Sequence, residues 1–256
     1  MIQSYENNQQ IRQITIKDSM PASCFKGCGL LTDVDVKEGV KEIPCFAFRT
    51  SSITNISLPK SLISIGDYAF ECCYNLTEIC LPDNLKYIGK GTFYGCHNLQ
   101  KIHNIEKVQH IEAGAFCGCR NLETIKLNDQ IEILQDYTFA ACQRLKTVSL
   151  PNKIEKIGKH CFQFCENLEQ IIFPDTLSFI DTYAFNACSS LVDVVVPKNV
   201  KHIGSYAFED CFSLYRIVLP ECLQTMGKRV FWGCDNLHKV INLSDVYFNN
   251  RVPLFD

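Results

Sequence analysis

The residues of this 256-residue chain that could do chemistry are its sixteen cysteines and six histidines. A thiol beside an imidazole can act as a nucleophile, and clustered thiols can hold a metal or close disulfides. The spacing speaks against each of these. Nine cysteines (Cys28, Cys73, Cys96, Cys119, Cys142, Cys165, Cys188, Cys211, Cys234) lie three residues after a phenylalanine. Those phenylalanines stand at 25, 48, 70, 93, 116, 139, 162, 185, 208 and 231, so they recur every 23 residues except for one step of 22 after Phe48. Ser51 fills the one remaining place. A small, weakly polar side chain wanted once per repeat is a packing requirement. The other seven cysteines (Cys24, Cys45, Cys72, Cys80, Cys117, Cys161, Cys222) share no register.

The close pairs Cys24 and Cys28, Cys117 and Cys119, and Cys161 and Cys165 each contain one periodic member, and no pair of C-x-x-C knuckles has zinc-ribbon spacing. No metal or other cofactor is therefore expected. The histidines (His97, His103, His110, His160, His202, His238) fall at unrelated repeat positions, and no P-loop, G-x-S-x-G or H-E-x-x-H motif occurs. Neither an enzyme nor a small-molecule substrate is expected. This many thiols without a disulfide framework imply a reducing compartment. The expected location is the cytoplasm, with the cell surface by a non-standard route as the alternative.

Composition narrows the partners. The net charge is −3 and there is no Lys/Arg run, so the footprint of a nucleic-acid binder or a polybasic membrane anchor is missing. No apolar run approaches a membrane span, and the polar start MIQSYENNQQIRQITIKD lacks the apolar core of a secretory signal. The sequon asparagines Asn55, Asn75 and Asn242 are read as chance occurrences.

What must position these residues is the repeat itself, since a period in the 20–50 range held along a chain means a stacked array. Counted from each phenylalanine, position +6 is Leu or Ile, +9 is Ile or Val, +11 is usually apolar and +12 is often proline. Positions +15 and +18 are again apolar, and +19 is often glycine. The alternation around +9 and +11 is that of a strand, which proline ends by lacking an N–H. Glycine at +19 is expected at a tight corner. The segment from +22 to the next cysteine is expected to form a helical or 3₁₀ turn. The short step leaves Ile53 in the +6 role, with Ile56, Leu58 and Pro59 back in register. Tyr5, Asn8, Ile11, Ile14 and Ile16 match an earlier, shortened repeat, while 246–255 departs from the pattern.

The pattern L-x-x-I-x-L-P-x-x-L-x-x-I-G-x-x-A-F-x-x-C, nearly complete from Leu191 to Leu214, resembles the BspA-like class of leucine-rich repeats. The resemblance implies a mainly β, leucine-rich-repeat solenoid of about eleven coils. Short parallel strands would form one face, with short 3₁₀ or helical turns and extended segments on the other. A single domain over 1–256 is expected, with a degenerate capping coil at 1–24, regular repeats at 25–240 and a C-terminal cap at 241–256. The class implies binding proteins of cell surfaces and cell interiors, some of which attach to host matrix proteins. Position +14 is mixed (Asn84, Gln130, Lys153, Thr176, Asn199), so no asparagine ladder is expected.

Function is then sought where the coils differ. Outward position +10 reads Asp35, Ser57, Cys80, His103, Lys126, Ser149 and then Ile172, Val195, Val218, Ile241. The first six are mostly polar or small, and the last four are apolar and β-branched. Val192, Tyr215, Arg216 and His238 flank this row at +7 and +8. An exposed apolar row with an aromatic and an arginine beside it is how a protein-partner site reads. The expected function is a protein-binding scaffold docking on its sheet face. The alternatives are a surface adhesin for host or matrix proteins, and a structural part of a larger assembly. Trp232 is read as packing on the turn side near the C-terminal cap.

Overall fold

In a computed structural model the chain, described over residues 4–244, winds as a series of short extended segments and turns into a β-solenoid of about ten coils. Its axis is a stack of aromatic rings. Tyr5 lies 5.7 Å from Phe25, and every later repeat phenylalanine lies 5.2–6.0 Å from the one before, with planes within 20°. The rings from Phe25 to Phe208 are wholly buried. An offset stack suits the ring quadrupole, and each ring shields the next from water. This is why one aromatic recurs at one position in every coil.

The front face is built from the +8 to +11 segments. They pair in parallel, as in Gln13–Ile16 on Asp33–Val36 and Arg216–Leu219 on Lys239–Asn242. Inward residues such as Val34, Ile79, Ile125 and Val194 are buried, while their neighbours point to solvent. The shortened coil rejoins without error: Asn55 lies opposite Asp33 and Ile56 opposite Val34, with Ile53 wholly buried. The back face is a row of two-residue strands at +17 and +18. They form a four-stranded ladder from Glu42–Ile43 to His110–Ile111 and a five-stranded one from Ile133–Leu134 to Thr225–Met226. Proline joins the two faces. The carbonyls of Pro59, Pro82, Pro151, Pro174, Pro197 and Pro220 each accept the N–H three residues on, which starts the return leg.

Two local expectations are corrected. The turn around each phenylalanine carries i→i−3 bonds, such as Cys73 N to Phe70 O at 3.1 Å, but it is not a helix. Alternate N–H groups reach the next coil instead, as Tyr68, Phe70 and Cys72 do to Lys90, Thr92 and Tyr94. That alternation needs positive φ two residues before and two after the ring, as at Tyr68 (55°) and Cys72 (56°). Among the described residues only Ile105–Lys107 is helical. The +19 glycines, in turn, do not adopt a left-handed corner. A Cβ at Gly204 would sit 2.3 Å from the backbone nitrogen of Thr182, so glycine there permits close approach of neighbouring coils.

The periodic cysteines have a second task. Each Sγ–H points at the carbonyl of the core aromatic residue one coil earlier, from Cys28 to Tyr5 O at 3.0 Å through Cys142 to Phe116 O at 3.2 Å to Cys234 to Phe208 O at 3.0 Å. Burial pushes up the thiols of Cys28, Cys73, Cys96, Cys119, Cys142, Cys165, Cys188 and Cys211, Cys73 to about 12, so they stay protonated and able to donate. All sixteen cysteines are free.

Candidate functional site

The outward row divides as its residue types imply. In the N-terminal half the front face is a polar trough of about 520 Å³ lined by Asp33, Asp35, Asn55, Ser57 and Glu78 among others. Its groups are occupied with each other. Asn55 donates to Asp33 (2.9 Å), Ser57 donates to Asp35 (2.7 Å), and Lys37 pairs with Asp35. The hydroxyl of Thr32 and the ammonium of Lys37 hold Asp33 and Asp35, respectively, below the usual carboxylate range.

In the C-terminal half the strands Asp193–Val195, Arg216–Leu219 and Lys239–Asn242 bring Val195, Val218 and Ile241 opposite one another in strict register. Val195 is 54% exposed, whereas Val218 and Ile241 are half-buried. Ile172 departs from the expected row. Its segment forms no ladder with Thr147–Ser149 or Asp193–Val195, and its side chain is 81% exposed. It still faces Val192 and Val195 across a shallow groove of about 820 Å³, with Phe173 and Pro197 among the other lining residues.

The flanking residues are partly committed to each other. Arg216 lies opposite Asp193 and donates to both carboxylate oxygens, at 3.2 and 3.0 Å. Tyr215 stacks on His238 at 5.4 Å, and His238 Nδ1 lies 2.6 Å from Asn236 O. The guanidinium is therefore a rim group already neutralised, and the Tyr215–His238 pair forms an aromatic shelf beside the apolar row. Residues 245–256 of the expected C-terminal cap lie outside the described residues.

Trp232 lies on the turn side. It is 53% exposed, with the Arg229 guanidinium 4.8 Å from its ring centroid.

Two regularities escaped the sequence. At +14 the side chains of Asn84, Thr176, Asn199 and Cys222 each donate to a backbone carbonyl of the preceding coil. At +5, Asn98, Asn167 and Asn236 do the same. Donors of mixed type thus take the place of the asparagine ladder that was not expected. Two residues before each ring, Phe46 and Tyr68 stack, and so do Tyr137, His160, Tyr183 and Tyr206. Aligning the repeats at that position would have shown the aromatics, but the type changes from coil to coil.

No group of three His, Cys, Asp or Glu among the described residues could hold a metal, and no helix is long and apolar enough to cross a membrane. The family profile described as the BspA type leucine rich repeat region matches residues 18–146 and 132–251. A comparison with curated protein sequences finds no match. Among solved structures, a leucine-rich repeat protein from Bacteroides ovatus is 25% identical, with 93% of this chain and 81% of that one covered and a TM-score of 0.56. The T. pallidum leucine rich repeat protein is 26% identical over 71% of this chain and 72% of that one, at a TM-score of 0.53. A leucine rich cell surface protein from Faecalibacterium prausnitzii shares the fold at 20% identity, 93% and 74% coverage and a TM-score of 0.57.

Proposed function

This chain belongs to the BspA type leucine-rich-repeat family, and we propose that it is a scaffold that docks a protein partner on the C-terminal half of its front sheet. The observation that carries this reading is the change along one face. Exposed Ile172, Val192, Val195 and Tyr215, with half-buried Val218 and Ile241, follow six coils of polar or small outward residues. A fold of identical coils has no need of such a change, because the inward positions stay the same throughout. Exposed valine and isoleucine in one row lose free energy in water that a partner's apolar side chains would recover, on the order of 25 cal/mol per Å² covered. Arg216–Asp193 and Tyr215–His238 at the margin would supply register and selectivity.

The test is a comparison of the partner set recovered from the native cell by the wild-type chain and by Val195→Lys with Val218→Lys. Both substitutions point outward and should leave thermal unfolding within about 0.5 kcal/mol. Loss of a specific partner with the fold intact supports the site, and an unchanged partner set removes it.

The second reading is a surface adhesin for host or matrix proteins, favoured by the shared fold of the Faecalibacterium protein described as a cell surface protein. Sixteen unpaired cysteines favour a reducing cytoplasm instead. Surface biotinylation of intact cells separates the two.

A further inference from the structure

The aromatic row on the turn side is interrupted. Two residues before the core ring the backbone has positive φ in successive coils: 55° at Tyr68, 55° at Gly91, 64° at Gly114, 60° at Tyr137, 55° at His160 and 58° at Tyr183. This conformation places the side chains on the surface in a column. Ring centroids are 4.5 Å apart for Tyr137–His160, 4.9 Å for His160–Tyr183 and 4.6 Å for Tyr183–Tyr206. At Gly91 and Gly114 the column has no rings of its own.

The two empty places are not alike. A Cβ at Gly91 would lie 2.4 Å from Cε1 of Tyr68, so the Tyr68 ring already leans over that coil. A Cβ at Gly114 would meet nothing nearer than Cβ of Cys117, at 3.9 Å. What remains is a cleft of about 600 Å³ walled by Tyr68, Tyr94, Tyr137 and Phe164, with Gly114 in its floor. The ring of Tyr137 stacks on His160, and among the described residues no ring covers its opposite face, toward Gly114.

We propose that this cleft receives one flat aromatic side chain, carried beside an acidic residue on a segment of a partner protein. The shape selects a plate, since the coil rise of about 5 Å leaves one ring's thickness between neighbouring rungs. The polar lining argues against a sugar ring. The Glu71 carboxylate is held by Arg49 at 2.8 Å, and the Gln163 amide is engaged by Asn186 (2.7 Å) and His160 (2.9 Å), so these groups are not free to read hydroxyls. Lys90 lines the cleft and forms no ion pair among the described residues. With Glu71 neutralised by Arg49, the rim is net positive, which favours a carboxylate next to the inserted ring. The cleft shares no residue with the front-sheet row, so either reading can fail without the other.

The test is an amide-shift NMR titration of the full chain with three probes: acetyl-Asp-Trp-Asp-amide, its cyclohexylalanine counterpart and N-acetyltryptophanamide. The tryptophan peptide should shift Gly91, Gly114 and Tyr137 and bind about tenfold more tightly than the cyclohexylalanine peptide, because two ring faces are engaged. Lys90→Gln should weaken the acidic peptide by about threefold and leave the amide probe unchanged. Gly114→Tyr should abolish binding by completing the column from within. It should fold, because Tyr137, Tyr183 and Tyr206 already hold the same φ, and Tyr137→Ala provides the same loss of aromatic preference should it not. Equal binding of the tryptophan and cyclohexylalanine peptides overturns the proposal, as does binding that survives in folded Gly114→Tyr. N-acetyltryptophanamide binding as tightly as the peptide would assign the cleft to a free aromatic ligand and overturn the protein-partner assignment.

Discussion

Replacing Cys142 by alanine and, separately, by serine decides whether the repeat cysteine is wanted for its size or for its proton. The thiol is wholly buried, and burial raises its pKa well above the ordinary thiol value. It therefore donates at all working pH, to Phe116 O at 3.2 Å. That carbonyl also accepts the N–H of Cys119 at 3.0 Å, so removing the thiol does not orphan it. Alanine removes one buried heavy atom, about 1 kcal/mol of transfer and cavity energy, and one weak hydrogen bond, about 0.5–1 kcal/mol. The expected loss for Cys142→Ala is about 1.5–2 kcal/mol. Serine keeps the donor and nearly the shape, and its cost is the burial of a more polar group that is hydrogen-bonded, about 1 kcal/mol. Ser51, wholly enclosed and 3.5 Å from Cys73 Sγ, shows that the site accepts a hydroxyl. Urea unfolding with reductant present, read as the midpoint at constant m, gives the order directly. An alanine variant as stable as serine, or more so, would refute the donor role and leave the cysteine a filler of space.

Other consequences can be checked in the same preparations. Alkylation of the native chain should modify exposed Cys80 first, then Cys45, Cys72, Cys117 and Cys222, while the eleven buried thiols react only on unfolding; mass spectrometry after a short pulse reads the sites, and early labelling of Cys119 or Cys165 would contradict the packing. Gly204→Ala should cost about 2–3 kcal/mol by forcing a Cβ against the backbone of Thr182, and a thermal melt like wild type would remove the close-approach account. Burial opposes ionisation of Asp181, but the Thr182 N–H at 2.8 Å and the Lys156 ammonium at 3.0 Å outweigh it, and its pKa lies below the usual carboxylate value. A depressed folded pKa contributes stability that is complete above the unfolded value of about 4 and is lost as pH falls through the folded one. Stability of Asp181→Asn should therefore fall less steeply than wild type below about pH 4, and parallel acid limbs would exclude the pair as a source.

The core was legible because every inward position is stated many times over. Phe at one place, Leu at +6 and Ile or Val at +9 can be satisfied together only by stacking, and a one-residue deletion such as that after Phe48 stands out against the pattern. Features that rest on relations between coils were harder. Glycine at +19 looks like a corner residue in one coil and becomes a spacing residue only when the coil beneath is placed. The carbonyl-capping donors at +5 and +14 change identity among Asn, Thr and Cys, so no single residue type marks them. The positive-φ turn was hidden for the same reason, since its positions hold Tyr, His, Arg, Gly, Thr and Ala alike.

The candidate site shows the same division. The row Val195, Val218, Ile241 follows from register arithmetic, because a parallel ladder of constant period puts equal positions side by side. That Ile172 leaves the ladder, and that Arg216 is held by Asp193, depends on which side chains meet across coils, and nothing within a single repeat encodes it. The consequence for function is general to this architecture. The core fixes every inward residue and so cannot vary, whereas outward residues are free to differ coil by coil. The departures from the repeat are the apolar row after Ser149 on the front and the two glycines that open the aromatic column on the turn side, and the proposed partner sites are placed there for that reason.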